Sequence, residues 1–181
     1  GKQGVPVVAV TRQKTEYPAS IRAVTLSSYI DLQFLDDAVL IHLAEESDIG
    51  AANAGGSAHI DTVTTLARGL FRHPWRRIVY VSSGAVYDQS GPSPKRPGDP
   101  TRKDGSPYVV GKLAVEAVVE GRGGVTARLA NIYGPMMKPG TVISDIMAQI
   151  PGRHALRIRD PRPVRDFLWV GDAAAALAAF A

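Results

Sequence analysis

Short apolar runs rich in β-branched residues alternate with longer amphipathic stretches along this chain. Because this rhythm is typical of strand–helix units built around a parallel sheet, it predicts an α/β fold. The predicted strands lie at residues 5–10, 21–26, 38–43, 77–82 and 125–130. These runs are apolar on both faces, so we expect helices to cover both sides of the sheet.

Two stretches between the strands show the apolar spacing of helices. His59 to Arg72 is the first, and Tyr108 to Val119 is the second. The second has a clear start, because Ser106 is a suitable N-cap residue and Pro107 suits the first helical position. The alanine-rich residues after Asp172 predict a further helix at the end of the chain.

Residues 88–106 break the alternation of strands and helices. This segment is dense in proline, glycine and charged residues and has no apolar period. A connection of this length without regular structure is usually a binding loop or a lid, or else a solvated or disordered insertion.

Length and composition exclude several classes of protein. The chain has 181 residues, 45% of them hydrophobic and 21% charged, which suits one folded globular domain. It has no cysteine, so disulfides, thiol catalysis and cysteine-ligated metals are excluded. The net charge of +4 is mild and suits phosphorylated small molecules at least as well as nucleic acid. No signal-peptide pattern or bilayer-length apolar stretch is present, so a cytoplasmic location is expected.

Both ends of the sequence look cut. Val5 to Val10 already reads as a buried strand, and the last alanine-rich stretch stops without a helix-closing residue. We therefore expect the 181 residues to come from a longer chain.

Tyr108 and Lys112 stand four residues apart on a predicted helix, so their side chains share one face. An ammonium close to a phenol favours the phenolate, which is the direction needed if a tyrosine is to exchange protons near neutral pH. The alternative is an exposed pair without chemistry.

Ser82 ends the predicted strand at 77–82 and Ser83 follows it, where the chain leaves for the long loop. In open α/β sheets, ligands bind beyond the carboxyl ends of the strands, so these hydroxyls are suitably placed to contact a substrate. The alternative is that they satisfy backbone groups at the strand end.

Read together, these motifs resemble the extended short-chain dehydrogenase/reductase family of NAD(P)-dependent nucleotide-sugar epimerases, dehydratases and reductases. The pieces that match stand in the family's order, at 38–44, 78–87 with 108–112, 128–135, and 164–174. The resemblance implies a Rossmann-like doubly wound parallel sheet that is incomplete at the N-terminus and is followed by the beginning of a small substrate lobe. The division expected from it is 1–135 for the dinucleotide-binding domain and 136–181 for the partial substrate lobe.

The resemblance implies a role for each matching catalytic residue. Tyr108 matches the catalytic tyrosine, which acts as acid or base on the oxygen being oxidised or reduced. Lys112 matches the lysine that binds the nicotinamide ribose and lowers the tyrosine pKa. Ser83 matches the third member, which hydrogen-bonds the same substrate oxygen. For the substrate, Asn131 matches a residue that lines the nucleotide-sugar site, and Arg165 matches the arginine that grips the nucleotide diphosphate.

The expected cofactor is NAD(P), with a slight preference for NADP. That preference comes from Arg12, which stands where NAD-preferring members place an acidic residue and could face a 2′-phosphate. With Tyr108 and Lys112, the other residues expected at the cofactor are Leu43, Ala44 and Ser82.

The sequence departs from the family pattern at two places. It contains no G-x-x-G-x-x-G motif, whose helix N-terminus normally binds the cofactor pyrophosphate. Gly84 and Ala85 stand where sugar 4,6-dehydratases carry an Asp–Glu pair, and neither side chain can transfer a proton. Dehydration of that type is therefore disfavoured, and an epimerase or a reductase remains.

The sequence thus predicts an enzyme that transfers hydride to and from a nucleotide-activated sugar, with Tyr108 as acid or base. The alternative is a non-catalytic member that binds a nucleotide or a partner protein. Two arginine clusters, around 68–77 and 153–165, have few aromatic residues among them and indicate surface or phosphate contacts rather than nucleic acid. We expect no membrane partner and no metal, and the resemblance suggests a homodimer through the Tyr108 helix.

Overall fold

The computed structural model describes residues 5–11, 16–25, 36–88, 93–150, 152 and 154–181. Its strands are β1 (Val7–Thr11), β2 (Ile21–Thr25), β3 (Val39–His42), β4 (Arg77–Ser83), β5 (Val125–Leu129), β6 (Asn131–Tyr133) and β7 (Phe167–Trp169). Its helices are α1 (Ile49–Ala54), α2 (Gly56–Leu70), α3 (Pro107–Glu120), α4 (Val142–Gln149) and α5 (Val170–Phe180), with a short 3-10 helix at Gly84–Val86.

Every strand pair in the described residues is parallel. β1 pairs with β2, β3 and β5 flank β4, and β6 pairs with β7, which makes three separate parallel sheets within the described ranges. The α/β class with parallel strands is therefore confirmed, and each of the five predicted strands overlaps an observed one. β1 starts at Val7 rather than at Val5, and Pro6, which has no N–H for a strand ladder, directly precedes it.

β4 lies at the centre of the fold and is buried on both faces. Ile78 and Tyr80 point to a core formed with α2 and α3, which includes Val115. Val79 lies in a second cluster with Leu177 of α5 on the other side. Helices thus cover both faces of the β3–β4–β5 sheet, as the apolar runs predict.

The start of α3 matches the sequence prediction in position but not in its capping contact. Ser106 occupies the N-cap position and Pro107 begins the helix, yet the Ser106 side chain makes no capping hydrogen bond. The Asn53 Oδ1 atom takes this role, because it accepts hydrogen bonds from the Tyr108 backbone N–H and the Ser106 hydroxyl, each at 3.0 Å. Asn53, the penultimate residue of α1, therefore caps α3.

The long loop after β4 is tied to the chain that precedes it. Tyr87 and Thr101 form an isolated antiparallel bridge. The Arg102 N–H donates to the Val86 carbonyl at 2.8 Å, and the Asp88 N–H donates to the Pro100 carbonyl at 3.0 Å. The described part of residues 88–106 contains no helix or extended strand pairing, as predicted, but both of its arms are anchored beside the 3-10 helix.

Three elements near the C-terminus were not predicted. They are β6, β7 and α4, which are short, and α4 starts with a reciprocal capping box between Thr141 and Ser144. The predicted terminal helix is present as α5 and begins at Val170, before Asp172. Among the described helices, none combines the length and the apolar character of a membrane span. The domain boundary between 135 and 136 stays a prediction.

Candidate active site

The candidate site lies at the carboxyl edge of the β3–β4–β5 sheet, where α3 begins. β3 ends at His42 and β4 ends at Ser83, and their parallel pairing brings both ends to the same edge. Leu43 and Ala44 follow β3 directly and are exposed, and the 3-10 helix follows Ser83. Ligands of open α/β sheets bind at such edges.

Tyr108 is held in the first turn of α3. It is buried in a small apolar cluster with Ala52, Val86 and Val109, and its backbone N–H is bound by Asn53. The cluster joins α1, the 3-10 helix and α3, so three elements determine where the tyrosine lies.

Lys112 lies one turn further along α3 and is also buried. Its Nζ atom is 5.9 Å from the centre of the Tyr108 ring and 5.2 Å from the centre of the Tyr80 ring. It donates to the Val81 carbonyl at 3.2 Å and is paired with the Glu45 Oε2 atom at 2.6 Å. The structure therefore brings Tyr108 and Lys112 together, and it adds a carboxylate that the sequence analysis did not single out.

Glu45 is surrounded by polar partners although only 5% of its side chain is exposed. The Tyr80 hydroxyl donates to its Oε2 atom at 2.9 Å, and the His42 Nε2 atom lies 3.6 Å from its Oε1 atom. Burial by itself would raise the pKa of the Glu45 carboxyl, but the interactions with His42 and with the Lys112 charge outweigh it and hold the pKa below its ordinary value. Glu45 is therefore a carboxylate at neutral pH, and its charge balances that of Lys112.

The Glu45 carboxylate also affects Tyr80. Burial, reinforced by the Glu45 charge and the hydrogen bond to it, raises the pKa of the Tyr80 phenol well above its usual range. Tyr80 consequently remains a hydrogen-bond donor throughout the pH range in which proteins stay folded.

The two serines at the end of β4 have different surroundings. Ser82 is buried, and its hydroxyl donates to the Glu116 Oε1 atom at 2.5 Å. The Ser83 Oγ atom accepts a hydrogen bond from the Ala85 N–H at 3.2 Å and caps the 3-10 helix. Ser82 is thus engaged in the core, whereas the Ser83 hydroxyl proton is not used by that capping bond.

Glu116 is in turn bound by Arg128 of β5. The Arg128 Nη2 atom lies 2.6 Å from Glu116 Oε2, and its Nε atom bonds both carboxylate oxygens. The side-chain hydrogen bonds to Glu116 raise the pKa of Arg128 further, against the effect of burial. The Arg128 guanidinium also lies 4.7 Å from the centre of the Tyr87 ring and donates to the Pro97 carbonyl.

Asn131 and Arg165 line a different place, a cavity of about 290 Å³ beside the β6–β7 pair. Thr141, Tyr133 and Phe167 complete much of its wall. The Asn131 amide donates to the Asp166 carbonyl at 3.0 Å, which links β6 to the start of β7. The structure thus brings the two predicted substrate residues together, while Ser83, Tyr108 and Lys112 are not among the described residues that line this cavity.

Several predicted residues are not tested by these contacts. Arg12 lies outside the described residues. Leu43 and Ala44 lie at the sheet edge, as their predicted place near a cofactor requires, but their roles stay predictions. His42 is stacked on Tyr80 and edge-on to Phe71. Among the described residues, no group of three metal-ligating side chains lies together.

Sequence reasoning missed three charged residues of the site, although two signals for them exist. Glu45 comes two residues after the end of the predicted strand at 38–43, where polar groups face a ligand edge. Glu116 follows Lys112 by one helical turn, so Tyr108, Lys112 and Glu116 share one face of α3. Arg128 sits inside an apolar strand, and nothing in its local sequence marks Glu116 as its partner.

Comparison with known proteins supports this description of the fold. A family model for the NAD dependent epimerase/dehydratase family matches residues 1–181. A comparison with curated proteins finds no match.

Solved structures with this fold include UDP-N-acetylglucosamine 4-epimerase from Bacillus cereus, with a TM-score of 0.77 and 20% identity over 99% of this chain. MoeE5 in complex with UDP-glucose and NAD has a TM-score of 0.72 and 24% identity over 99% of this chain. The NAD-dependent NDP-hexosamine 5,6-dehydratase TunA has a TM-score of 0.76 and 21% identity over 98% of this chain. The chain spans 64% of the length of each of these three proteins. At these identities the likeness shows the fold alone, and it confirms the Rossmann-like α/β class.

Proposed function

The chain belongs to the NAD-dependent epimerase/dehydratase family, and from that premise we propose that it is part of an epimerase or reductase that acts on a nucleotide-activated sugar. The observation that carries the proposal is the placement of Tyr108 and Lys112. Both are buried at the start of α3, with the Lys112 ammonium 5.9 Å from the Tyr108 ring, beside the carboxyl end of β4.

The sheet edge fits the nicotinamide-ribose end of a dinucleotide. Leu43 is 63% exposed directly after β3 and offers apolar surface there. An ammonium has three N–H donors, and Glu45 and Val81 accept two of those of Lys112, which leaves one for a ribose hydroxyl. When bound, the nicotinamide supplies the hydride chemistry, and the protein supplies proton transfer and orientation.

The chain's own residues have separate tasks in this proposal. Tyr108 takes the proton of the sugar hydroxyl during oxidation and returns it during reduction. Ser83 donates its hydroxyl proton to the same substrate oxygen and orients it. Lys112 binds the cofactor ribose and stabilises negative charge on Tyr108.

The cavity beside the β6–β7 pair is proposed to hold the nucleotide part of the substrate. Arg165 presents a planar, permanently charged group that suits a diphosphate, and Asn131 offers an amide on the same wall. Within the described residues, no ion pair joins Arg165 to Asp166 or Asp172, so neither carboxylate neutralises the Arg165 guanidinium.

The proposed chemistry is epimerisation or reduction rather than 4,6-dehydration. Gly84 and Ala85 form the 3-10 helix directly after Ser83. Neither residue has a group that can move a proton, so elimination of water lacks its acid and base at this position. NAD is the cofactor named for MoeE5, and the slight preference for NADP that Arg12 suggests stays a prediction.

Replacement of Tyr108 by phenylalanine tests the proposal in the complete protein that carries this chain. We expect Tyr108→Phe to lower kcat by about 10²–10⁴-fold, because the general acid or base is lost. Binding of the nucleotide sugar, measured by calorimetry, should change little because the ring and its packing remain. Turnover is followed with a panel of nucleotide sugars and NAD or NADP.

Tyr17→Phe is the matched control, because Tyr17 lies before β2 and is exposed. It should leave kcat unchanged. Unchanged turnover in Tyr108→Phe would overturn the mechanism. Absence of turnover in the unaltered protein with every nucleotide sugar would favour the non-catalytic alternative.

A further inference from the structure

The pairing of Glu45 with Lys112 is not explained by the proposed roles of Tyr108, Lys112 and Ser83. A lysine that acts on a tyrosine needs only its ammonium near the phenol. Here the ammonium is bound by a carboxylate at 2.6 Å, and only 10% of the lysine and 5% of the glutamate side chain is exposed. At such burial, a charge pair is screened little by solvent, so each partner strongly affects the charge that the other presents.

The structure holds Glu45 in place from several sides. Tyr80 of β4 donates to its Oε2 atom, which is the same oxygen that contacts Lys112. His42 at the end of β3 lies 3.6 Å from Oε1. The His42 ring is itself fixed between Phe71 and Tyr80. The carboxylate therefore has a defined position and is not a surface group that meets Lys112 by chance.

The contacts of Lys112 have a direct effect on its position. Glu45 and the Val81 carbonyl approach Nζ from the sheet edge, and both lie outside α3. A flexible lysine side chain that is held at two points cannot move freely toward or away from Tyr108. Glu45 thus determines both the place of the ammonium and the net charge near the phenol.

We propose that Glu45 is a positioning residue that holds the Lys112 ammonium at the sheet edge and balances its charge beside Tyr108. This proposal rests on the proposed function of Tyr108, since it describes how the acid–base group of that site is adjusted. With both partners charged, the Glu45 carboxylate offsets part of the effect of the Lys112 ammonium on Tyr108. Without Glu45, Tyr108 would face an unbalanced positive charge that favours the phenolate.

The charged or titratable groups near this part of the site come from several elements, and they include His59 of α2, whose ring packs against α3 at Gly111. Tyr80 interacts electrostatically with Glu45, Glu116 and Tyr108. Glu116 is neutralised by Arg128. α1 and the 3-10 helix contribute uncharged Ala52 and Val86 to the cluster around Tyr108. Among these groups, the Glu45–Lys112 pair contains the cation that lies 5.9 Å from the centre of the Tyr108 ring.

The experiment measures the titration of Tyr108 directly, without cofactor or substrate. The complete protein is labelled with ¹³C at the tyrosine Cζ atom, and Tyr108→Phe identifies the Tyr108 signal. Glu45→Gln keeps the side-chain shape and removes the charge. We expect it to move the titration midpoint of Tyr108 to lower pH by about one unit, the size that a charge several ångströms away produces at intermediate dielectric.

Glu46→Gln is the matched control, because it removes the same charge from the next residue, which is exposed. It should leave the midpoint of Tyr108 in place. Glu45→Asp keeps the charge, so its Tyr108 midpoint should lie closer to that of the unaltered protein than the midpoint of Glu45→Gln does. If Glu45→Gln does not fold, Glu45→Ala carries the same expectation, because it leaves room for water at the ammonium.

An unchanged or raised midpoint in a folded Glu45 variant without the carboxylate would overturn the proposal. A role of Glu45 in stability alone would lower the unfolding temperature without moving the Tyr108 titration. Because the titration uses neither cofactor nor substrate, its result is independent of whether the complete protein turns over nucleotide sugars. Failure of the proposed function would show in a different measurement, the turnover of Tyr108→Phe compared with that of the unaltered protein.

Discussion

The buried charges of the site interact as pairs rather than as single groups. Lys112 is bound to Glu45, and Arg128 is bound to Glu116. Removal of one partner leaves the other as an uncompensated charge in a poorly solvated place, which costs more than the pair itself contributes. A substitution in either pair therefore affects stability as well as chemistry.

The stability provided by Glu45 should depend on pH. Its pKa in the folded protein lies below the ordinary value of 4.5, so its contribution is fully present above that value and is lost as the pH falls through the folded pKa. We expect Glu45→Gln to lower the free energy of unfolding by about 2 kcal/mol near pH 7. The difference from the unaltered protein should shrink as the pH falls into the acidic range.

Urea unfolding of both proteins at a series of pH values measures this difference. Glu46→Gln serves again as the control and should show little effect at any pH. A constant difference between Glu45→Gln and the unaltered protein from neutral to acidic pH would contradict the assignment of Glu45 as a stabilising carboxylate.

At the scale of elements, the site depends on how closely α3 approaches β4 and α2. Val115 and Val119 of α3 are fully buried in the core that includes Ile78 of β4. Between α3 and β5, the chain passes very close to β4 at Gly124. A Cβ atom there would lie 2.7 Å from Val119 Cγ1 and 3.0 Å from the Ile78 carbonyl oxygen. The end of α3 can pack onto the sheet in this way only because residue 124 has no side chain.

Gly124→Ala should therefore destabilise the protein. The added methyl group meets the β4 backbone, which cannot move aside as a flexible side chain would, so we expect a cost of about 1–3 kcal/mol. Gly69→Ala in α2 is the matched control, because nothing lies within 4 Å of its added Cβ. The control should be neutral or stabilising by up to about 1 kcal/mol. Chemical denaturation compares the two, and an equal effect of both would contradict the close packing at Gly124.

At the scale of the whole molecule, Arg128 connects parts that are distant in the chain. It reaches from β5 to Glu116 on α3, and it contacts Tyr87 and the Pro97 carbonyl of the long loop. The loop that follows β4 is therefore attached to the same buried pair that binds Ser82. The sheet, α3 and the loop should respond together when this pair is disrupted.

Arg128→Met tests this connection. We expect it to lower the free energy of unfolding by about 3–5 kcal/mol, because Glu116 is left buried without its positive partner. The double variant Arg128→Met with Glu116→Gln removes both charges and should be more stable than the single variant. Urea unfolding measures both, and a double variant as unstable as the single one would contradict the role of the uncompensated charge.

Local patterns in the sequence were sufficient for most of the fold. The strands at 77–82 and 125–130 and the helix at 108–119 were predicted within two residues, because apolar spacing reports directly on the faces that an element buries. Short elements such as β6, β7 and α4 were missed. A strand of three residues, such as β6 or β7, carries too little periodic signal, and its pairing depends on a partner far along the chain.

The candidate site divides in the same way. The sequence by itself determined that Tyr108 and Lys112 share a helical face and that Ser83 lies next to the end of a strand, since these are properties of neighbouring residues. Only the tertiary structure decided that Glu45 binds Lys112, that Asn53 caps α3, and that Arg128 reaches the long loop. Such contacts join residues that become neighbours only when the sheet and helices pack, because burial gives a polar side chain a partner that local spacing does not specify.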